Sequence, residues 1–303
     1  MPTRSTLALL QKLTTALVVL AALGWLVWQW PVSPARAVIG VVAIVMVHAF
    51  FLAAEFVALY LVKPEGGTPR PTGRELVKAW VGESLMAPRV FCWRQPFRWR
   101  AVPDHLEGPE LAGRRGVVFI HGFVCNRGFW TPWLKQMKAR GRAFAAVNLE
   151  PVFGSIDDYA PIIDAAVTRV TDATGLPPVL VCHSMGGLAA RAWLRTHQAD
   201  LRVAHVVTIG TPHRGAWLAR FSRLANGRQM RIGGDWLGSL ERAAKAPRPV
   251  PFTCWYTNCD NIVFPAATAT LPDADNRLVR SVAHVELAFQ PAVIEATFEL
   301  LRP

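Results

Sequence analysis

This 303-residue chain is poor in cysteine and poor in acid. Its five cysteines, Cys92, Cys125, Cys182, Cys254 and Cys259, are odd in number and form no regular framework, which argues against a disulfide scaffold. Cys254 and Cys259 have the wrong spacing for a zinc knuckle, so no metal cluster is expected. Asp and Glu number 21 against 33 Lys and Arg, a formal net charge of +12, which directs attention to nucleic acid or an anionic membrane. Internal repeats and long low-complexity tracts are absent, which excludes a repeat array. No small-x-small cleavage pattern follows the first apolar run, which argues against a removable signal peptide.

What the N-terminus does have is apolar length. Residues 13–30 and 37–62 are two runs, each about the 20 residues that a membrane-crossing helix needs. A short break carrying Pro31, Pro34 and Arg36 separates them, so residues 1–63 are predicted to form a membrane hairpin. Trp25, Trp28 and Trp30 gather at one end, as interfacial anchors do. Arg4 and Lys12 precede the first run, and Lys63, Arg70, Arg74 and Lys78 follow the second. The positive-inside rule then places both ends in the cytoplasm of a bacterial-type inner membrane, with a multi-pass topology. His48 and Glu55 interrupt the second run on one helix face. Glu55 is read as lying near the interface and His48 as neutral against the first helix.

Residues 64–89 form a linker and juxtamembrane segment, rich in Pro and Gly at its start, with a short helix over 74–86. Residues 92–100 interleave Trp93, Phe97 and Trp99 with Arg94, Arg98 and Arg100. Such a pattern suits nucleic-acid stacking, but beside a membrane run a headgroup-facing segment is more economical, with a surface strand over 97–102 also open. No nucleic-acid partner is expected.

From there the chain alternates strand and helix. Strands are expected at 116–120, 143–148, 179–182, 203–209, 252–256 and 277–282, and helices at 130–140, 156–173, 185–196, 216–248 and 291–301. That alternation predicts an α/β fold with a mostly parallel sheet covered by helices on both faces, occupying residues 90–303.

Chemistry-bearing residues stand where such a sheet puts them, outside the carboxyl ends of strands. Ser184 follows the strand 179–182 and directly precedes a helix, the layout of a nucleophile elbow. The elbow pattern has a small residue two before and two after the serine, and here these are Cys182, in place of the usual glycine, and Gly186. His121, Gly122 and Phe123 follow the first strand, Asp260 the fifth and His284 the sixth. Asp273 and Asp275 are rival acids in a polar turn. His183, His197, His205 and His213 are read as structural, with His213 bracing the loop beneath the site. Asp157 and Asp158 read as first-turn helix residues after Ser155.

From residue 116 onward the chain resembles the α/β-hydrolase superfamily, in particular bacterial triacylglycerol lipases and esterases. The likeness rests on residues 119–123 (FIHGF), 208–215 (TIGTPHRG), 259–263 (CDNIV), 283–287 (AHVEL) and the order Ser, Asp, His. Cys182 departs from the pattern, as does the N-terminal hairpin. The resemblance implies an α/β-hydrolase fold and a serine carboxylic-ester hydrolase. Ser184 would attack the ester carbonyl, His284 would move its proton, Asp260 would orient His284, and the backbone N–H groups of Phe123 and Met185 would hold the oxyanion. Related secreted lipases bind calcium beside the histidine loop. Glu286 and Gln290 stand at comparable offsets, but no calcium and no other cofactor is predicted. Trp217, Leu218, Phe221 and Leu224 recur at helical spacing, so residues 216–248 are expected to form a helical cap.

These features predict a membrane-anchored hydrolase of lipid-like esters. An acyltransferase or thioesterase with the same triad is the alternative, and a non-catalytic membrane scaffold is the reading from another class. The anchor is expected to aid access to long-chain substrates and to matter little for short soluble esters.

Overall fold

The computed structural model describes residues 4–244 and 249–302. Two long helices come first, α1 (Thr6–Gln29) and α2 (Pro34–Leu61). Each starts on a serine N-cap: Ser5 accepts from the Ala8 N–H and Ser33 from the Arg36 N–H. Both are long and apolar enough to cross a membrane, and little of either is buried. Leu17, Leu20, Val27, Ile39, Phe50 and Phe51 are all more than half exposed, a surface that water does not favour. At the hairpin tip Gly40 lies directly under the Trp25 ring, whose Nε1 donates to the Arg36 carbonyl.

Helix α3 (Gly73–Pro88) follows, closed at its start by a capping box between Thr72 and Glu75. A π-helical stretch, Arg89–Arg94, runs into the short helix α4 (Gln95–Phe97). The surface strand left open over 97–102 does not form. The buried Arg127 guanidinium donates to the Trp99 and Val102 carbonyls instead, and Gln95 accepts from Gln11 of α1.

The sheet has six parallel strands in the order β2-β1-β3-β4-β5-β6. They are β1 (Val117–Ile120), β2 (Phe144–Ala146), β3 (Val179–His183), β4 (His205–Ile209), β5 (Phe252–Thr257) and β6 (Asp275–Val279). Between and after them lie α5 (Thr131–Ala139), α6 (Ala160–Thr174), α7 (Met185–His197), α8 (Ala225–Gln229), α9 (Asp235–Arg242), α10 (His284–Leu287) and α11 (Pro291–Glu299). Alternation along β1 divides the core. Val118 and Ile120 pack with α6 and α7 on one face, and Val117 and Phe119 pack with α5 and α11 on the other. With both faces covered, β1 is a wholly buried apolar run, and β3 is wholly buried and apolar up to His183, as parallel sheets favour.

The expected helix over 216–248 is broken. It consists of a 3₁₀ turn (Trp217–Phe221), α8 and α9, and residues 245–248 lie outside the described residues. Gly233 at φ 71 and the adjacent Gly234 end one piece before α9 begins. Trp217 stacks on Phe264, while Phe221 is exposed, so the predicted apolar stripe is not one buried face.

Candidate active site

Ser184 sits between β3 and α7 with φ 52 and ψ −130, a backbone conformation that an L-residue holds only when its surroundings impose it. Its N–H donates to Ile209 O, and its carbonyl accepts from Thr211 Oγ1. The turn is tight. A Cβ on Gly186 would lie 2.5 Å from Ile120 O, and one on Gly122 would lie 2.7 Å from Ser184 Cβ, so neither position accepts a side chain without movement. Cys182 does not disturb this geometry. Its side chain is fully buried in the core between β3 and the helices, and that burial raises the thiol pKa.

His284 and Asp260 meet on the same sheet edge. Nδ1 of His284 lies 3.0 Å from Asp260 Oδ2 and 2.9 Å from Oδ1, with both residues buried. Asp260 is itself fixed, since its Oδ1 accepts from the Ile262 and Val263 N–H groups. Burial opposes the imidazolium, but the charge and hydrogen bond of Asp260, reinforced by Glu83 and Glu55, hold the His284 pKa above its ordinary 6.5. The His183 ring, next to Ser184 in sequence, lies 4.6 Å from the His284 ring. Ser184 and His284 are not hydrogen-bonded to each other here, a separation common before substrate closes the site.

The turn after β1 faces the elbow. His121 is buried and neutral: Nε2 accepts from the Leu149 N–H, so Nδ1 carries the proton and donates to Gly122 O. Burial pushes its pKa down to about 4. Phe123 follows, then Val124 at φ 52. Met185 is the first residue of α7, and its N–H has no acceptor within the helix. Both N–H groups named for the oxyanion therefore belong to segments that flank Ser184.

A sequence profile of the alpha/beta hydrolase family matches residues 117–296, more than half of the chain. The chain belongs to the alpha/beta hydrolase family. Triacylglycerol lipases from Pseudarthrobacter phenanthrenivorans and Burkholderia plantarii are each 34% identical to it over 122 residues, 36% of this chain. The match spans 37% and 33% of those lipases' own lengths. Among solved structures, the mature form of a Bacillus licheniformis lipase superposes with a TM-score of 0.57 at 18% identity, covering 66% of this chain and 96% of that one. Aspergillus fumigatus lipase B gives 0.56 at 16% identity, covering 65% and 55%. At these identities the structural likeness concerns the fold.

The other sequence candidates take other places in this fold. Asp273 and Asp275 are exposed, and Asp275 pairs with Arg277. His205 bonds Thr253, and His197 lies by Asp164 on the outer side of α7. His213 does brace the turn after β4, where its carbonyl accepts from Arg191 and its ring meets Thr208. His183 is buried against Phe129, with its pKa well below 6.5 through that burial. Gln290 Nε2 donates to Glu286 Oε1, and no cluster of three or more His, Cys, Asp or Glu forms among the described residues.

Two carboxylates reach the site from α2 and α3. Glu55 Oε2 accepts from Asn261 Nδ2 at 2.7 Å. His48 does not face α1, and its Nε2 lies 3.0 Å from Ser84 O of α3. Glu83, which sequence reasoning missed, is 2% exposed and accepts from the Val285 and Glu286 N–H groups at 2.9 and 3.0 Å. Burial pushes its pKa up to about 7.

Proposed function

We propose that this hydrolase cleaves carboxylic esters, lipid-like ones in particular, through an acyl-enzyme on Ser184. The observation that carries the reading is the strained Ser184 elbow on the same sheet edge as the buried His284–Asp260 pair. In this reading Ser184 Oγ attacks the ester carbonyl as His284 Nε2 takes its proton. His284 then protonates the departing alcohol, and water repeats the sequence to release the acid. Asp260 holds Nδ1 and stabilises the imidazolium. The Phe123 and Met185 N–H groups receive the oxyanion, each donor contributing about 3 kcal/mol. The names of the matching lipases support the ester class.

The same proposal sets α1 and α2 in a bilayer as a hairpin with both ends cytoplasmic. Their exposed apolar surface and the flanking Arg and Lys support that placement. Fluorophosphonate labelling of the purified protein, with an ester chain-length panel, tests the activity. Ser184→Ala is expected to abolish labelling and to reduce turnover to background while the fold is kept. Near-parental turnover in that variant would refute the assignment.

A further inference from the structure

The histidine loop is held from outside the family-matched region. Asn261 bridges it to α2: Nδ2 donates to Glu55, and Oδ1 accepts the N–H of His284 itself at 3.2 Å. On the other side the Glu83 carboxylate spans the next two backbone N–H groups, those of Val285 and Glu286. Helix α3 is in turn fastened to α2, since Trp80 Nε1 donates to Ala49 O and His48 meets Ser84 O. At its first turn Glu75 accepts from Arg280 and Ser281, just before the loop. Three successive residues, His284 to Glu286, thus take their backbone N–H partners from a network that starts in α2 and α3. A buried carboxylate such as Glu83 is costly where an apolar residue would pack, and its convergence with the half-buried Glu55 on one catalytic loop calls for a role beyond packing.

We propose that Glu55 and Glu83 are positioning residues for His284, so that the N-terminal helices complete the active site as well as anchor it. Glu55 acts through Asn261, and Glu83 acts through the backbone. The inference rests on the triad reading above. It also revises one expectation: a chain begun near residue 90 would lack both carboxylates and would lose activity on short soluble esters too.

The test uses the full-length protein and a short soluble ester at pH 8, with rates normalised to fluorophosphonate-titrated sites so that misfolded protein does not count. Glu55→Ala and Glu83→Ala are expected to lower kcat by roughly tenfold to a hundredfold with KM little changed, the scale of a small misplacement of a catalytic group. Glu55→Gln keeps an acceptor for Asn261 and is expected to recover most of the loss. The pH profile of kcat/KM supplies a readout that packing alone would not move. The groups facing His284 are Asp260 from its own sheet edge, Glu83 from α3, Glu55 from α2 and His183 from β3. Removing the Glu83 charge in Glu83→Gln should therefore shift the acid limb to lower pH. Parental kcat in both alanine variants, or an unmoved limb in Glu83→Gln, would overturn the positioning role while Ser184 labelling leaves the triad reading in place. A parent that neither labels nor turns over ester would overturn both.

Discussion

Two buried histidines on one sheet edge, His121 and His284, are driven in opposite directions. His121 follows β1 among backbone groups, accepts one N–H, donates to one carbonyl and has no carboxylate against it, so burial wins and the ring stays neutral. His284 is as deeply buried but faces Asp260, Glu83 and Glu55, and these overcome the same desolvation. The difference teaches that burial alone does not set a histidine's charge. The carboxylates around it do, and two of the three come from helices outside the matched fold.

The strongest way to break the comparison is to remove the nearest carboxylate charge. Asp260→Asn keeps the size of the side chain but no longer favours the imidazolium, and kcat is expected to fall on the order of 10⁴-fold, less than on loss of the serine. Asp273→Asn, in the exposed turn before β6, and Asp275→Asn, at the turn's end where β6 starts, should leave kcat within about twofold. Steady-state kinetics on the three variants decide it. A large loss in either turn variant with parental rates in Asp260→Asn would transfer the role of the acid.

How much of this was legible differs along the chain. The places of Ser184, Asp260 and His284 after their strands could be read because strand alternation and chain order constrain them locally. Cys182 looked like an obstacle, and it is accommodated because its side chain turns into the core, which sequence does not tell. Glu83 was invisible, since its burial is made by contact with residues some 200 positions away. A faint signal was Gly82 beside it, over which the Glu286 carboxylate lies: a Cβ there would be 2.3 Å from Glu286 Oε2 and would make that side chain shift. Glu55 was conspicuous as a charge in an apolar run, yet its partner Asn261 is far off in sequence. The surface strand left open at 97–102 does not form for a similar reason, since two of its carbonyls accept from the distant Arg127.

The second prediction concerns the neutral member of the pair. A histidine whose pKa falls from 6.5 to about 4 on folding binds its proton more readily in the unfolded chain. Its contribution to stability is therefore complete above about pH 6.5 and is lost as pH falls toward 4, by about 3 kcal/mol at one pKa unit per 1.36 kcal/mol. Glu83, raised to about 7, has the opposite slope, with stability falling as pH rises from 4.5 to 7. Comparing the parent with His121→Phe cancels that opposing term. Denaturant unfolding from pH 7 to 4 should show the parent losing more stability than the variant. Parallel curves would mean that His121 is not held neutral by burial.

The smallest expected effect sharpens the comparison by loosening each side equally. Thr72 caps α3 on the histidine side, and Ser155 caps the 3₁₀ turn at Ile156–Tyr159, beside Phe153, whose ring meets Phe123 on the oxyanion side. Replacing either cap by alanine removes an acceptor for one N–H and is expected to cost about 1 kcal/mol. The Thr72 box has a further link, because Glu75, held down to about 2 by its hydrogen bond from Arg280, also receives Ser281 and Asn258. If α3 carries the field that Glu83 exerts on His284, then Thr72→Ala should move the acid limb of kcat/KM slightly to lower pH. Ser155→Ala should cost similar stability without moving it. Glu83 lies three turns from the cap, so the shift should be a few tenths of a pH unit at most. Equal shifts in the two variants would mean that the limb reports general loosening of the fold, and the separation of the edge into a neutral side and a charged side would fail.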